Sequence, residues 1–148
     1  MKDSLIFLVD GAEVRVEPEK MVAIGESLHT ELMTVSKDFV RVGRYLAHMN
    51  SRRDLLKADY DSAKGKKYAE FRSGGYEALY AKKPTEEGLT HALNEDTDLL
   101  QLRKSLIEAG RVADELYALR TGLNMKMDVL REVSSHLRME MKVAKEAH

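Results

Sequence analysis

Two long stretches of the chain carry apolar residues at alternating spacings of three and four, from Leu32 to Lys67 and from Leu99 to Ala144. This spacing gives a narrow apolar seam along a helix, and such a seam packs lengthwise against a partner helix. At 1.5 Å per residue the second helix would be about 70 Å long, too long for a compact globule to cover. The pattern therefore predicts a long antiparallel, coiled-coil-like helical hairpin.

Turn and capping residues predict the shorter elements. Asp10 and Gly11 tolerate a tight turn between two apolar runs, Pro18 suits the first turn of a helix, and Thr85 suits a helix N-cap. Ser73-Gly74-Gly75 ends the first helix, which has a possible kink at Gly43 or Gly65. We predict one mainly α domain, 1–148, with a β-hairpin at 1–17, a first long helix at 18–73, a short helix at 84–94 and a second long helix at 97–146.

The two helices would leave apolar flanks such as Val112, Leu119 and Val133 with nothing else to bury them. A two-stranded hairpin is also marginal unless another element or subunit supports it. Both observations predict assembly into a homo-oligomer.

Composition excludes several classes of chemistry. The chain has no cysteine, so disulfides, thiolate nucleophiles and cysteine-bound metals are excluded. Its longest apolar run, Leu5 to Val9, is too short to span a membrane, and acids flank it where a signal peptide would carry positive charge. We expect a cytoplasmic protein without membrane partners.

No motif predicts catalysis. The acidic run from Asn94 to Asp98 resembles a calcium loop, but the loop glycine is missing and Ser105 occupies the place of the bidentate glutamate. Capping of the last helix by Asp96 or Asp98 explains the run better. No zinc motif, nucleophile elbow or phosphate-binding glycine loop occurs. We expect no enzyme activity, no catalytic residue, no metal and no cofactor.

Charge and aromatic residues coincide in one segment. The formal net charge is −1, yet residues 41–83 hold eleven basic and five acidic side chains and six of the nine aromatic residues. A protein that binds single-stranded nucleic acid needs at least cations, which contact the phosphates, and neighbouring aromatic rings, on which the bases stack. The candidate phosphate contacts are Lys57, Lys64, Lys66, Lys67 and Arg72, and the candidate stacking rings are Tyr68 and Phe71. The alternative is a solvated helix face on which Tyr60 and Phe71 continue the seam.

Four places along the chain also carry a family resemblance. They are LVDGAEVRV before the first helix, KKYAEFRSGG with Lys66, Glu70, Phe71, Ser73 and Gly74, LNEDTDLL with Asp96 and Asp98, and the long carboxy-terminal helix. Their order resembles the UvsY-type recombination mediator proteins of tailed phages. Tyr68 stands where that family has a second basic residue.

The resemblance implies a ring-like homo-oligomer in the host cell cytoplasm, acting in DNA recombination, repair and replication. Such a protein would bind single-stranded DNA, help displace the single-strand-binding protein and load the strand-exchange recombinase, without catalytic activity. The alternative function is a coiled-coil structural or adaptor protein with no nucleic-acid binding.

Overall fold

The computed structural model describes residues 4–25 and 27–147. Residues 1–3 of the predicted hairpin span and residue 26 of the predicted first helix lie outside the described residues. The elements are β1 (Leu5–Val9), β2 (Ala12–Val16), α1 (Pro18–Val22), α2 (Leu28–Glu70), α3 (Tyr76–Tyr80), α4 (Glu86–Glu95) and α5 (Thr97–Glu146). The predicted mainly α fold with an amino-terminal β-hairpin is confirmed.

The β-hairpin turns at the predicted dipeptide. Asp10 and Gly11 have φ values of 50° and 79°, the left-handed pair that a two-residue turn between twisted strands requires. The strands pair antiparallel, and the side chains of Phe7 and Val16 are buried. The Phe7 ring meets the Tyr45 ring of α2 edge to face at 5.4 Å between centroids. The hairpin therefore gains its support from within the chain.

The predicted first helix, 18–73, is interrupted near its start. Its first five residues form α1, after which the backbone becomes extended at Ala23, and a new helix begins at Leu28. Ser27 caps this second start, because its hydroxyl accepts a hydrogen bond from the Thr30 amide at 3.4 Å. From there α2 runs on without a break to Glu70, so neither interior glycine ends it.

A widened helical turn, Phe71–Gly75, follows α2. Gly74 has a φ of 126°, a conformation that side-chain-bearing residues rarely adopt, and α3 begins directly afterwards. The glycine pair at the predicted helix end therefore redirects the chain.

The described chain divides into two compact units. The first unit takes its residues from 1–48 and 112–148, and the second is 49–111. In the first unit Glu31 lies beside Lys126 and Phe39 beside Arg120, so α2 and α5 run antiparallel there. The prediction of one domain stays a prediction, since both long helices contribute to both units.

The apolar flanks expected to remain open are largely covered. Val112 and Leu119 are buried within the first unit, whereas Val133 is exposed. The short helix α1 packs further along the same helix, α5, since Val22 lies 3.1 Å from where a Cβ at Gly122 would stand. Of these three flanking residues, only Val133 is left for another subunit.

The second unit has its own core around the turn that follows α2. The buried members of this core are Phe71, Tyr76, Leu89, Ala92, Leu93 and Leu99. Here too α2 and α5 are antiparallel, because Arg53 lies close to Gly110 whereas Lys67, later in α2, lies beside Asp96 at the start of α5. Thr85 and Asp96 cap α4 and α5, each accepting a backbone N–H at 3.0 Å, as predicted.

No helix within residues 4–25 and 27–147 is both long and apolar enough to cross a membrane.

Candidate nucleic-acid interface

All seven predicted contact residues belong to the second unit. Lys57, Lys64 and Tyr68 share one face of α2, because steps of seven and four residues bring a helix nearly back to the same direction. Lys66 follows Lys64 by two residues and therefore points about 160° away. The predicted cations accordingly do not form one stripe.

Lys67 is committed to a structural contact. Its ammonium lies 3.3 Å from the Asp96 carboxylate and 3.8 Å from Glu70, and it stands 5.6 Å from the centroid of the Phe71 ring. The hydrogen bond and charge of Asp96, with the charge of Glu70, raise the pKa of Lys67 above its ordinary value. This side chain joins the end of α2 to the start of α5 within the unit.

Tyr68 and Arg72 form a second internal network with Glu86. The Tyr68 hydroxyl donates to the Glu86 carboxylate at 3.2 Å and accepts from the Arg72 guanidinium at 3.1 Å. The guanidinium also lies 5.6 Å from the centroid of the Tyr68 ring and 3.6 Å from the carboxylate. These contacts hold the half-buried ring in one orientation.

Phe71 lies in the core of the second unit with 4% of its surface exposed. A ring in this position has no open face on which a base could stack. The alternative prediction, that Phe71 continues the apolar seam, describes its position, and the residue belongs to the core and not to the exposed surface.

The remaining predicted cations are available. Among the described residues, Lys64 and Lys66 have no carboxylate within 4.0 Å, and both are exposed. Lys57 pairs with Asp61 at 3.0 Å, with both side chains more than half exposed. An exposed pair of this kind contributes little stability, so a phosphate can replace the carboxylate at small cost.

The predicted contact residues omitted two arginines of the second unit, Arg53 on the same face of α2 as Lys57 and Lys64, and Arg103 on α5. The Cδ atom of Arg53 is 3.8 Å from where a Cβ at Gly110 would stand, and Arg103 precedes Gly110 by two helical turns. Within the part of the chain that the structure describes, neither arginine has a carboxylate partner within 4.0 Å. Arg103 lies outside the basic segment in sequence, and seven residues of helix place it on the same side of α5 as Gly110, which the Arg53 side chain approaches.

A shallow cleft opens beside these cations, with a volume of about 280 Å³. Its lining is Asp61, Lys64, Gly65, Tyr68 and Leu93. The first four residues occupy about two turns of one face of α2, and the fifth comes from α4.

Together these features define a class of protein by its fold: two long antiparallel helices, preceded by a β-hairpin and connected through short helices. The crystal structure of the bacteriophage T4 recombination mediator protein UvsY has this fold. It superimposes with a TM-score of 0.66 at 14% sequence identity, over 83% of this chain and 92% of that chain. The resemblance noted from the sequence is thus confirmed at the level of the fold. A comparison with models of protein families gives no match, and a comparison with curated protein sequences gives no significant one.

Proposed function

We propose that this chain is a non-catalytic recombination mediator. In this role it binds single-stranded DNA in the cytoplasm, helps displace the single-strand-binding protein and loads the strand-exchange recombinase. The observation that carries the proposal is the fold shared with the T4 recombination mediator over most of both chains. The unpaired cations of the second unit support it, because single strands are bound mainly through their phosphates.

The proposed DNA-binding face consists of Arg53, Lys57 and Lys64 of α2 together with Arg103 of α5. The Tyr68 ring lies at the end of this face and supplies the aromatic surface that single-strand binders combine with cations. Lys66 points to the opposite side of α2, where it would contact a different stretch of the strand.

Self-association is part of the proposal. Val133, Leu137 and Met141 recur every four residues along α5 and are exposed in the first unit. Such a row on a helix is the pattern by which helices of different subunits pack together. Several copies would present several basic faces to one strand, so a modest affinity per subunit would be multiplied by avidity.

Binding to a fluorescent poly(dT) strand across a salt series tests the DNA-binding part. Log affinity should fall with log salt by about 0.7 per phosphate contact on a single strand. The variant Lys64→Ala/Arg103→Ala should bind more weakly and should lower the slope by about 1.4, for two lost contacts.

The matched control is Lys37→Ala/Arg44→Ala, which removes one exposed lysine and one exposed arginine from α2 in the first unit. Equal weakening by both variants would show that net charge, not this face, determines binding. If the wild type binds no strand at low salt, the DNA-binding proposal is lost.

Loading requires a separate assay, in which recombinase assembles on DNA already coated with single-strand-binding protein. The proposed mediator should shorten the lag of assembly on coated DNA and should have little effect on bare DNA. A protein that binds DNA without shortening this lag only coats the strand.

The second candidate is a helical adaptor without nucleic-acid binding. The internal ion pairs of Lys67 with Asp96 and of Arg72 with Glu86 favour it, because they explain two of the basic residues by structure alone. Under this alternative the salt series shows no binding, and the exposed row on α5 binds another protein.

A further inference from the structure

We propose that the cleft beside Lys64 receives one nucleobase of the bound strand in each subunit. This inference rests on the proposed single-strand binding and specifies how the second unit engages a base. The lining of the cleft, its size and the charges at its rim support this inference.

The lining suits a flat aromatic ligand. Gly65 presents bare helix backbone, and a Cβ built there would meet no atom within 4 Å. Leu93 is buried in the core and contributes an apolar floor, and the Tyr68 ring forms one side. Because Arg72 and Glu86 already hold the Tyr68 hydroxyl, little side-chain entropy would be lost when a base stacks on the ring.

The size suits one base. At about 280 Å³ the cleft is smaller than the roughly 300–1,000 Å³ of pockets that enclose drug-sized ligands. A single base can enter the cleft while its sugar and phosphate remain outside, because the cleft is shallow and open to solvent.

The rim places positive charge where that phosphate would lie. Lys64 lines the cleft and has no carboxylate partner within 4.0 Å among the described residues. The one acid of the lining, Asp61, faces two lysines in total, because Lys57 lies 3.0 Å from it and Lys64 lines the same cleft. The rim therefore carries a net positive charge, which complements the phosphate of a nucleotide and disfavours a basic peptide side chain.

Gly65→Leu tests the inference, because the new side chain would occupy the cleft without meeting a neighbour at its Cβ. Leucine is also the better helix former, so thermal unfolding should show no loss of stability. The matched control is Ser62→Leu, an exposed position of α2 that points about 120° away from Tyr68 and 160° away from Lys64.

Both variants are titrated with an oligo(dT) strand and with an abasic strand of equal length and charge. A stacked base contributes about tenfold in affinity, so Gly65→Leu should bind oligo(dT) roughly tenfold more weakly than Ser62→Leu does. On the abasic strand the two variants should bind equally, since phosphate contacts alone remain.

The outcomes separate the two proposals. If wild type binds oligo(dT) in a salt-sensitive manner and Gly65→Leu binds it equally well, the base-binding cleft is refuted and the DNA-binding face stands. Equal weakening of Gly65→Leu on both strands also refutes the cleft, because the defect then lies in phosphate contacts. Absence of any binding by the wild type overturns both proposals.

Discussion

Replacing Lys126 with methionine tests how strongly one enclosed charge holds the first unit together. The Lys126 side chain is 4% exposed, and its ammonium lies 2.6 Å from Glu31 Oε2 and 3.0 Å from the Met21 carbonyl oxygen, to which it donates. Among the described residues Glu31 Oε2 has no other partner. These contacts connect α5 with α1 and with the first turn of α2.

Methionine keeps most of the length and apolar surface of lysine but removes the charge and its hydrogen bonds. Loss of one partner from a buried ion pair destabilises by about 3–5 kcal/mol, because the other charge is left without compensation. Glu31 keeps 20% of its side chain exposed, so water can compensate part of this loss. We therefore expect Lys126→Met to lower the free energy of unfolding by about 2–3 kcal/mol.

Urea unfolding followed by circular dichroism at one fixed protein concentration measures this change, since self-association would make stability depend on concentration. Arg131→Met is the matched control, because it removes a cation of α5 whose pair with Asp128, at 3.7 Å, is exposed. The control should change stability by less than about 0.5 kcal/mol. Equal effects of the two variants would refute the structural role of the Lys126 ion pair.

The pH dependence gives a second check. The hydrogen bond from Lys126 holds the pKa of Glu31 below its ordinary value. A carboxyl whose pKa is lower in the folded state stabilises the protein above the unfolded value of about 4.3, and this contribution is lost as pH falls through the folded value. The stability difference between wild type and Lys126→Met should therefore narrow below about pH 4.

Three further changes test other features. Burial raises the pKa of Asp96, but the hydrogen bond from the Leu99 amide and the interaction with Lys67 outweigh burial and leave that pKa below its ordinary value. Asp96→Ala should therefore lower the free energy of unfolding by about 1–2 kcal/mol at pH 7, and by less below about pH 4, as measured by urea unfolding. Leu116→Ala should destabilise by about 2–5 kcal/mol in the same assay, because the side chain is fully buried, and a smaller loss would mean that the site collapses around it. Gly65→Ala should raise the free energy of unfolding by about 0.5–1 kcal/mol, because its Cβ enters open space on a helix, and a lower melting temperature would contradict the geometry.

The helices and the hairpin were predictable because their signals are local. The seam of three and four spacings, with an acid before it, predicted α5 at 97–146, and the structure has Thr97–Glu146. The interruption between α1 and α2 was missed, although Gly25 and Ser27 stand there. Pro18 and the acids around it resemble a helix start so closely that a second start ten residues later was not considered.

The interface was less predictable, because it depends on residues that are distant in sequence. Segment charge identified Lys64, but it could not reveal that Asp96 and Glu86 neutralise Lys67 and Arg72. Both acids lie within residues 84–98, which hold five acidic and no Lys or Arg side chains, and this stretch folds back onto the basic segment within the second unit. Helical periodicity could not decide whether the Phe71 ring is exposed or buried in the core, since an aromatic residue on an apolar seam fits either position.

The two units differ in how far apart along the chain their contacts are made. The bond between Tyr68 and Glu86 joins residues 18 positions apart, whereas the bond between Lys126 and Met21 joins residues 105 apart. Closing the longer loop costs about 1.5 kcal/mol more chain entropy, so we expect the second unit to form first, an order that pulse-labelled hydrogen exchange can detect. During synthesis α1 must then wait for the far half of α5, and in that interval the surface of α1 that later meets Lys126 and Gly122 is open to other chains.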